Sequence, residues 1–314
     1  MTGSDLEGAV EVLRRGGLVA MPTETVYGLA ADAADAEAVA RIFEAKDRPR
    51  FNPLIAHISS MDMAFVEASF CALSRRLAEA FWPGPLTLVL PLRTHSATVC
   101  ELARAGLPTL ALRMPDHAVA LELIRSFGGP LVAPSANPSG RLSPTRAEHV
   151  REGLGDRVDA VLDGGPCRVG LESTIVAVAE GEVTLLREGA VSAEAIAEAT
   201  GHPPHRSAGT PDRPNAPGQL LAHYAPRAPL RMNAASAQSN EFLIGFGSVK
   251  GDLNLSESGD LIEAAANLFA HLHAGDTLAR PIAVAPVPDE GLGRAINDRL
   301  RRAASAHGKA SEIG

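Results

Sequence analysis

From residue 6 to about residue 200, short β-like runs alternate with helical stretches, a pattern that drives a chain toward a layered α/β fold. LVAMP begins at residue 18, DAEAVARIFEAK at 35 and PLIAHI at 53. Further apolar runs cover Leu86 to Leu92, Thr109 to Met114, Leu131 to Ala133, Ala160 to Leu162, Thr174 to Val178 and Val183 to Leu186, enough for one large sheet. Asp35 precedes an apolar set at Val39, Ile42 and Phe43, as a helix N-cap does. Thr145 with Glu148 makes a T-x-x-E capping box.

Residues 201 to 229 hold seven prolines and no sustained periodicity, so they read as an extended linker. After it, EFLIGFG at 241 and PIAVAPV at 281 look like strands, and Leu261 to Ala274 and Ala295 to Ala306 like helices. The expected division is a domain at 1–200, a linker at 201–229 and a small α/β domain at 230–314. At 314 residues the chain is long enough for two cores. Only 4% of residues are aromatic, so those cores rest on Ala, Val, Leu and Ile.

The net charge of -8 has the wrong sign for a protein held to nucleic acid mainly by phosphate contacts. Cys71, Cys100 and Cys167 are far apart and form no CxxC pair, which disfavours a disulfide framework and a zinc site and fits a reducing cytoplasm. No window approaches the ~20 apolar residues of a membrane helix, and the first residues lack the basic start and apolar core of a signal peptide. A soluble, cytoplasmic protein is expected.

Three segments can carry chemistry. PTETVYGL, Pro22 to Leu29, places hydroxyls and Glu24 at a strand end, where α/β sheets bind ligands. In KDRPRFNPL, Lys46 to Leu54, cations flank an aspartate past a helix, and Pro49 prevents that helix from continuing. A Lys point charge and an Arg fork there suit phosphate oxygens, although cations at a helix C-terminus also stabilise the helix itself. APSANPSGRLSPT, Ala133 to Thr145, could cradle an anion with main-chain N–H groups, and a purely structural Ser or Asx turn has the same composition. Arg113, Glu172, Ser173 and Arg187 stand at the ends of apolar runs, and His57 alternates onto one face of its run. GxxxxGK[ST], GxSxG and HExxH are absent, as is any complete GxGxxG.

Taken in order, PTETVYGL, KDRPRFNPLIAH, PGPLTLVL, LALRMP, APSANPSG, LESTIV and LLREG resemble the YrdC-like threonylcarbamoyl-AMP synthase family, across about residues 6 to 200. APGQLLAHYAP and the residues after it resemble the longer, two-domain members. The resemblance implies a large mixed twisted sheet with flanking helices, plus a smaller C-terminal α/β domain joined by an extended linker that covers the active site. It implies synthesis of threonylcarbamoyl-AMP and pyrophosphate from L-threonine, bicarbonate and ATP with Mg2+. The product would pass to a tRNA threonylcarbamoyl transferase complex, with weak or indirect contact to tRNA.

By the same resemblance, Lys46 and Arg48 are catalytic. Lys46, Arg48, Asn52, Thr109, Ser135, Asn137, Ser143, Arg187 and Tyr224 bind ATP. Thr25, His57, Arg113, Ala133 and Ser173 bind L-threonine, with Arg113 pairing with its carboxylate. The competing readings are an RNA-binding module, opposed by the acidic balance, a carbamoyl-transferring hydrogenase maturation protein, opposed by the missing zinc-finger cysteines, and a catalytically idle scaffold.

Overall fold

The protein was analysed as a computed structural model, which describes residues 3–206 and 224–308. The strands of the large domain are β1 (Val19–Met21), β2 (Gly28–Asp32), β3 (Ile55–His57), β4 (Leu86–Pro91), β5 (Thr109–Arg113), β6 (Leu131–Val132), β7 (Ala160–Val161), β8 (Thr174–Ala179), β9 (Glu182–Arg187) and β10 (His205–Arg206). They form one mixed sheet in the order β10-β9-β8-β4-β5-β3-β6-β2-β1-β7. At its centre β3 and β5 run parallel, with His57 opposite Arg113, and β4 runs parallel to β8. Its helices are α1 (Gly3–Arg14), α2 (Ala36–Lys46), α3 (Met61–Glu67), α4 (Ala72–Phe81), α5 (Ala118–Phe127), α6 (Ala147–Leu154) and α7 (Ala193–Thr200).

The small domain is a parallel sheet of β11 (Leu230–Arg231), β12 (Phe242–Gly245), β13 (Leu253–Asn254) and β14 (Ile282–Val284), in the order β11-β14-β12-β13. Helices α8 (Leu261–Thr277) and α9 (Leu292–Gly308) accompany it. Every strand and helix expected from an apolar run is present. The short strands β2, β10, β11 and β13 were not expected, because two to five residues without clear alternation carry little periodic signal.

Local chemistry sets the helix that matters most for the site. The Asp35 side chain accepts the N–H groups of Glu37 and Ala38, so α2 starts where the sequence predicts. Its last turn ends at Lys46, and Asp47 closes it in the left-handed conformation at φ 52°. Lys46 before that reversal and Arg48 and Asn52 after it are all buried. The expected capping box at Thr145 is not formed. Helix α6 begins one residue too late, with Arg146 at the N-cap position, and the Thr145 N–H donates to the His149 ring instead.

The two faces of the large sheet are filled differently. One face, with Leu88, Leu90, Leu110, Leu112, Val176 and Val178, is covered by α2, α4, α6 and α7. On the other face α1 and α5 cover only the β1–β2–β6 side, through Val10, Leu13, Leu123 and Ile124. Between them, Ile55, Val89, Ala111 and Ile175 form a small apolar floor. Alternation along the strands carries Thr87, Thr109, Arg113, His57 and Ser173 onto this same face. The candidate site stands on that floor.

Candidate active site

A cavity above the floor is lined by Thr25, Val26, Arg48, Ile55, His57, Arg113, Ala133, Pro134, Ser135, Glu172, Ser173, Arg187 and Tyr224. Nine of the residues expected in the site are among them: Thr25, Arg48, His57, Arg113, Ala133, Ser135, Ser173, Arg187 and Tyr224. They come from seven separate segments of the chain. The PTETVYGL turn is locked by Thr23, whose Oγ1 donates to the Val26 carbonyl at 2.6 Å. The APSANPSG loop is laced to that turn by the Leu29 N–H to the Pro134 carbonyl at 2.7 Å and the Ala136 N–H to the Tyr27 carbonyl at 2.8 Å.

The residues expected to bind L-threonine lie around the ends of β3 and β5. Arg113 pairs with Glu24 at 2.7 Å, Nη2 to Oε1, and both side chains are buried. Its Nε donates to the Gly84 carbonyl at 3.3 Å. Thr87 Oγ1 and Ser173 Oγ share a hydrogen bond of 2.7 Å. His57 is buried, its Nδ1 lies 3.2 Å from the Ile55 carbonyl, and burial, with the Arg113 charge beside it, pushes its pKa down to about 3.

His57 is therefore neutral at physiological pH. Because the folded-state pKa lies below the ordinary 6.5, the stabilisation is fully present above pH 6.5 and is lost as pH falls toward 3. His149 is lowered to about 3 by burial and acts in the same window. Urea unfolding is expected to show stability falling from pH 7 to pH 5, with a shallower fall in His57→Gln.

Next to this cluster, Arg187 donates through Nε and Nη2 to the Ser173 carbonyl, at 3.1 and 2.8 Å, and through Nη2 to Ser173 Oγ at 3.1 Å. Its direction depends on a β-bulge. Simple alternation places Val183, Leu185 and Arg187 on the core face, but Leu185 pairs with Val176 while Arg187 pairs with Ile175. The extra residue, Leu186, turns Arg187 to the side of Ile175, toward the cavity. Gly189 allows the close approach: a Cβ there would lie 2.5 Å from the Glu172 carbonyl oxygen.

Arg48 donates through Nη2 to the Pro53 carbonyl at 3.1 Å, and its Nε has no hydrogen-bond partner among the described residues. Burial first, then the nearby Arg187 charge, lowers its pKa to about 10. Lys46 does not line the cavity. Its Nζ donates to the carbonyls of Ser135 and Asn137, and it is buried, so in this state it holds the APSANPSG loop.

Asn52, Asn137 and Ser143 are buried behind the lining, and Thr109 lies further along the floor from Arg113. The Asn137 amide donates to the carbonyls of Pro138 and Arg141, and the Oδ1 atoms of Asn52 and Asn137 have no partner among the described residues. Sequence reasoning did not assign Glu172 to the site. It lines the cavity, accepts from Ser143 Oγ at 2.5 Å, and pairs with Arg299 of the small domain. LESTIV contained the signal, but nothing local connects Glu172 with a residue 127 positions away. Most of the linker motif APGQLLAHYAP lies outside the described residues. Tyr224 is described, is buried at φ 64°, and lines the cavity.

Arg48, Arg113 and Arg187 thus face one cavity whose lining holds a single carboxylate, with Glu24 behind it. Burying a charge costs several kcal/mol unless it is compensated, so this excess of cations suits an anionic ligand. Among the described residues no group of three His, Cys, Asp or Glu side chains could hold a metal ion, and both carboxylates near the cavity are paired with arginines.

Comparison with known proteins gives the family. A family model described as telomere recombination matches residues 11–189, and one described as the threonylcarbamoyl-AMP synthase C-terminal domain matches 191–305. The threonylcarbamoyl-AMP synthase of Bacillus subtilis is 40% identical over 94% of this chain and 92% of its own length. The chain belongs to the threonylcarbamoyl-AMP synthase family. The Pyrococcus abyssi member is 41% identical over 94% of this chain and 92% of its own. A crystal structure of P. abyssi Sua5 complexed with L-threonine matches with a TM-score of 0.88 at 38% identity, covering 96% of this chain and 94% of that one. The expected fold is therefore borne out for both domains of this threonylcarbamoyl-AMP synthase family member. A phosphate- and nucleotide-bound HypF shares only a fold over 59% of this chain and 29% of its own, at 20% identity and a TM-score of 0.53.

Proposed function

We propose that the cavity joins L-threonine, bicarbonate and ATP into threonylcarbamoyl-AMP and pyrophosphate, which makes the chain a nucleotidyltransferase acting in tRNA modification. The observation that carries this reading is the convergence of three buried arginines from distant segments on one cavity. Family membership and the P. abyssi structure complexed with L-threonine support it.

Threonine sits at the Arg113 end, its carboxylate on the guanidinium, with Thr25, neutral His57, the Ala133 backbone and Ser173 around it. ATP lies at the Arg48 and Arg187 end, beside Ser135 and Tyr224, with Asn52, Asn137, Ser143 and Thr109 supporting that side. The threonine amine attacks bicarbonate, water leaves, and a carbamate oxygen attacks the α-phosphorus as pyrophosphate departs. Arg48 and Arg187 stabilise the charge that develops on the phosphorus and on the leaving group. Lys46 keeps the loop that carries Ser135 in place.

Mg2+ enters as MgATP, held by phosphate oxygens rather than by a protein cage. The product is handed to a tRNA threonylcarbamoyl transferase complex, and any contact with tRNA is weak or indirect. No described helix is long and apolar enough to cross a membrane, and the three free thiols suit a reducing cytoplasm, which we propose as its location.

Mass spectrometry of the reaction should detect threonylcarbamoyl-AMP when L-threonine, bicarbonate and ATP are all supplied. The adduct should vanish when any one of them is withheld. AMP release without the adduct would exclude this chemistry.

A further inference from the structure

The small domain reaches the cavity lining by packing Phe269 on Tyr224 and by a charged side chain, Arg299. Arg299 on α9 is fully buried, and its Nε donates to Glu172 Oε2 at 2.9 Å. Its Nη2 donates to the Glu188 carbonyl at 2.9 Å, its Nη1 donates to Asp298 Oδ2 at 2.8 Å, and its guanidinium lies 5.1 Å from the centre of the Tyr224 ring. The other Glu172 oxygen accepts from Ser143. Both oxygens of the carboxylate in the cavity lining are therefore engaged.

This engagement matters because of what else stands beside Glu172. Although burial opposes it, Arg299 and Arg187 hold the Glu172 carboxyl below its usual range, and Arg187, bonded to the neighbouring Ser173, lines the same cavity. Without Arg299, a buried carboxylate would face the cavity beside Arg187, with Arg48 on the same lining. It would pair with them, and it would repel phosphate.

We propose that Arg299 is a positioning residue for the nucleotide: from the small domain it holds Glu172 so that this carboxylate does not compete with phosphate for Arg187 and Arg48. The inference rests on the reading that ATP phosphates lie at those two arginines. It also assigns the small domain a role in every turnover, since the large domain alone would leave Glu172 without Arg299 and free to pair with Arg187.

The test is calorimetric binding of ATP and of L-threonine to the full chain. Arg299→Gln is expected to weaken ATP binding by ~10–100-fold and to leave L-threonine affinity within about three-fold, because Arg113 is paired with Glu24 rather than with Glu172. Removing the competing charge in Arg299→Gln with Glu172→Gln should restore most of the lost ATP affinity, whereas a merely structural role leaves the double variant as poor as the single one. If Arg299→Gln does not fold, the double variant carries the test alone, because a neutral pair is tolerated better than a lone buried charge. ATP affinity unchanged in Arg299→Gln, or a double variant that binds threonine but not ATP, would overturn the proposal. Arg187→Ala separates the two ideas: if it binds ATP as tightly as the unaltered protein, the placement of ATP is itself wrong.

Discussion

Arg187→Ala is expected to lower threonine-dependent pyrophosphate release by ~10²–10³, the usual effect of removing one well-placed donor from a site where charge develops. Its guanidinium is buried, reaches the cavity through the bulge at Leu186, and is backed by the Ser173 carbonyl. Such a donor needs no reorganisation as the α-phosphorus becomes five-coordinate. Arg48→Ala should fall by a similar factor, and Arg48→Lys should recover little, since an ammonium cannot reproduce a planar fork. Rapid-quench measurement at saturating ATP separates this loss from weakened binding. Thermal unfolding of the same samples checks that the Ser173 contacts were not the cause. Turnover within three-fold of the unaltered protein, a difference of about 0.6 kcal/mol, would remove Arg187 from the transition state.

Arg113→Ala should affect stability and threonine binding together. Glu24 and Arg113 form a pair whose side chains are 0% and 5% exposed, and the Glu24 oxygens make no hydrogen bond among the described residues. Removing the cation leaves a buried carboxylate unanswered, which costs about 3–5 kcal/mol. Adding Glu24→Gln should restore most of that stability without restoring threonine binding, because the carboxylate of the amino acid still lacks its partner. Urea denaturation reads the first quantity and calorimetry the second. Threonine affinity that recovers together with stability would show that Arg113 acts only through the fold.

The residues that alternation places could be read from the sequence. His57 and Arg113 stand at the ends of apolar runs whose parity puts them on one face, and pairing of parallel β3 and β5 sets them side by side. The Asp35 cap and the end of α2 likewise follow from local chemistry. Arg187 is different. Its parity in VTLLR points to the core, and only the bulge reverses it, a feature that depends on register with β8. Family resemblance points to Arg187, and periodicity does not.

Other parts were hidden for related reasons. Of the three cations near the end of α2, Lys46 and Arg48 are buried and Arg50 is exposed, a distinction that composition does not carry. Lys46 looked like a phosphate ligand by residue type, yet its ammonium is held by two loop carbonyls contributed from about ninety positions later. Glu172 could not be understood without Arg299, because a contact between two domains leaves no pattern in either segment. The T-x-x-E motif at Thr145 satisfied the rule for a capping box, and a one-residue shift in the helix start cancelled it.

The most direct test of the account is pyrophosphate release by the purified protein with MgATP and bicarbonate, with L-threonine present or absent. The account predicts release that depends on threonine and bicarbonate and that nearly disappears in Arg48→Ala and Arg187→Ala. Release that is indifferent to threonine, or no release from a folded protein that binds both substrates, would contradict it.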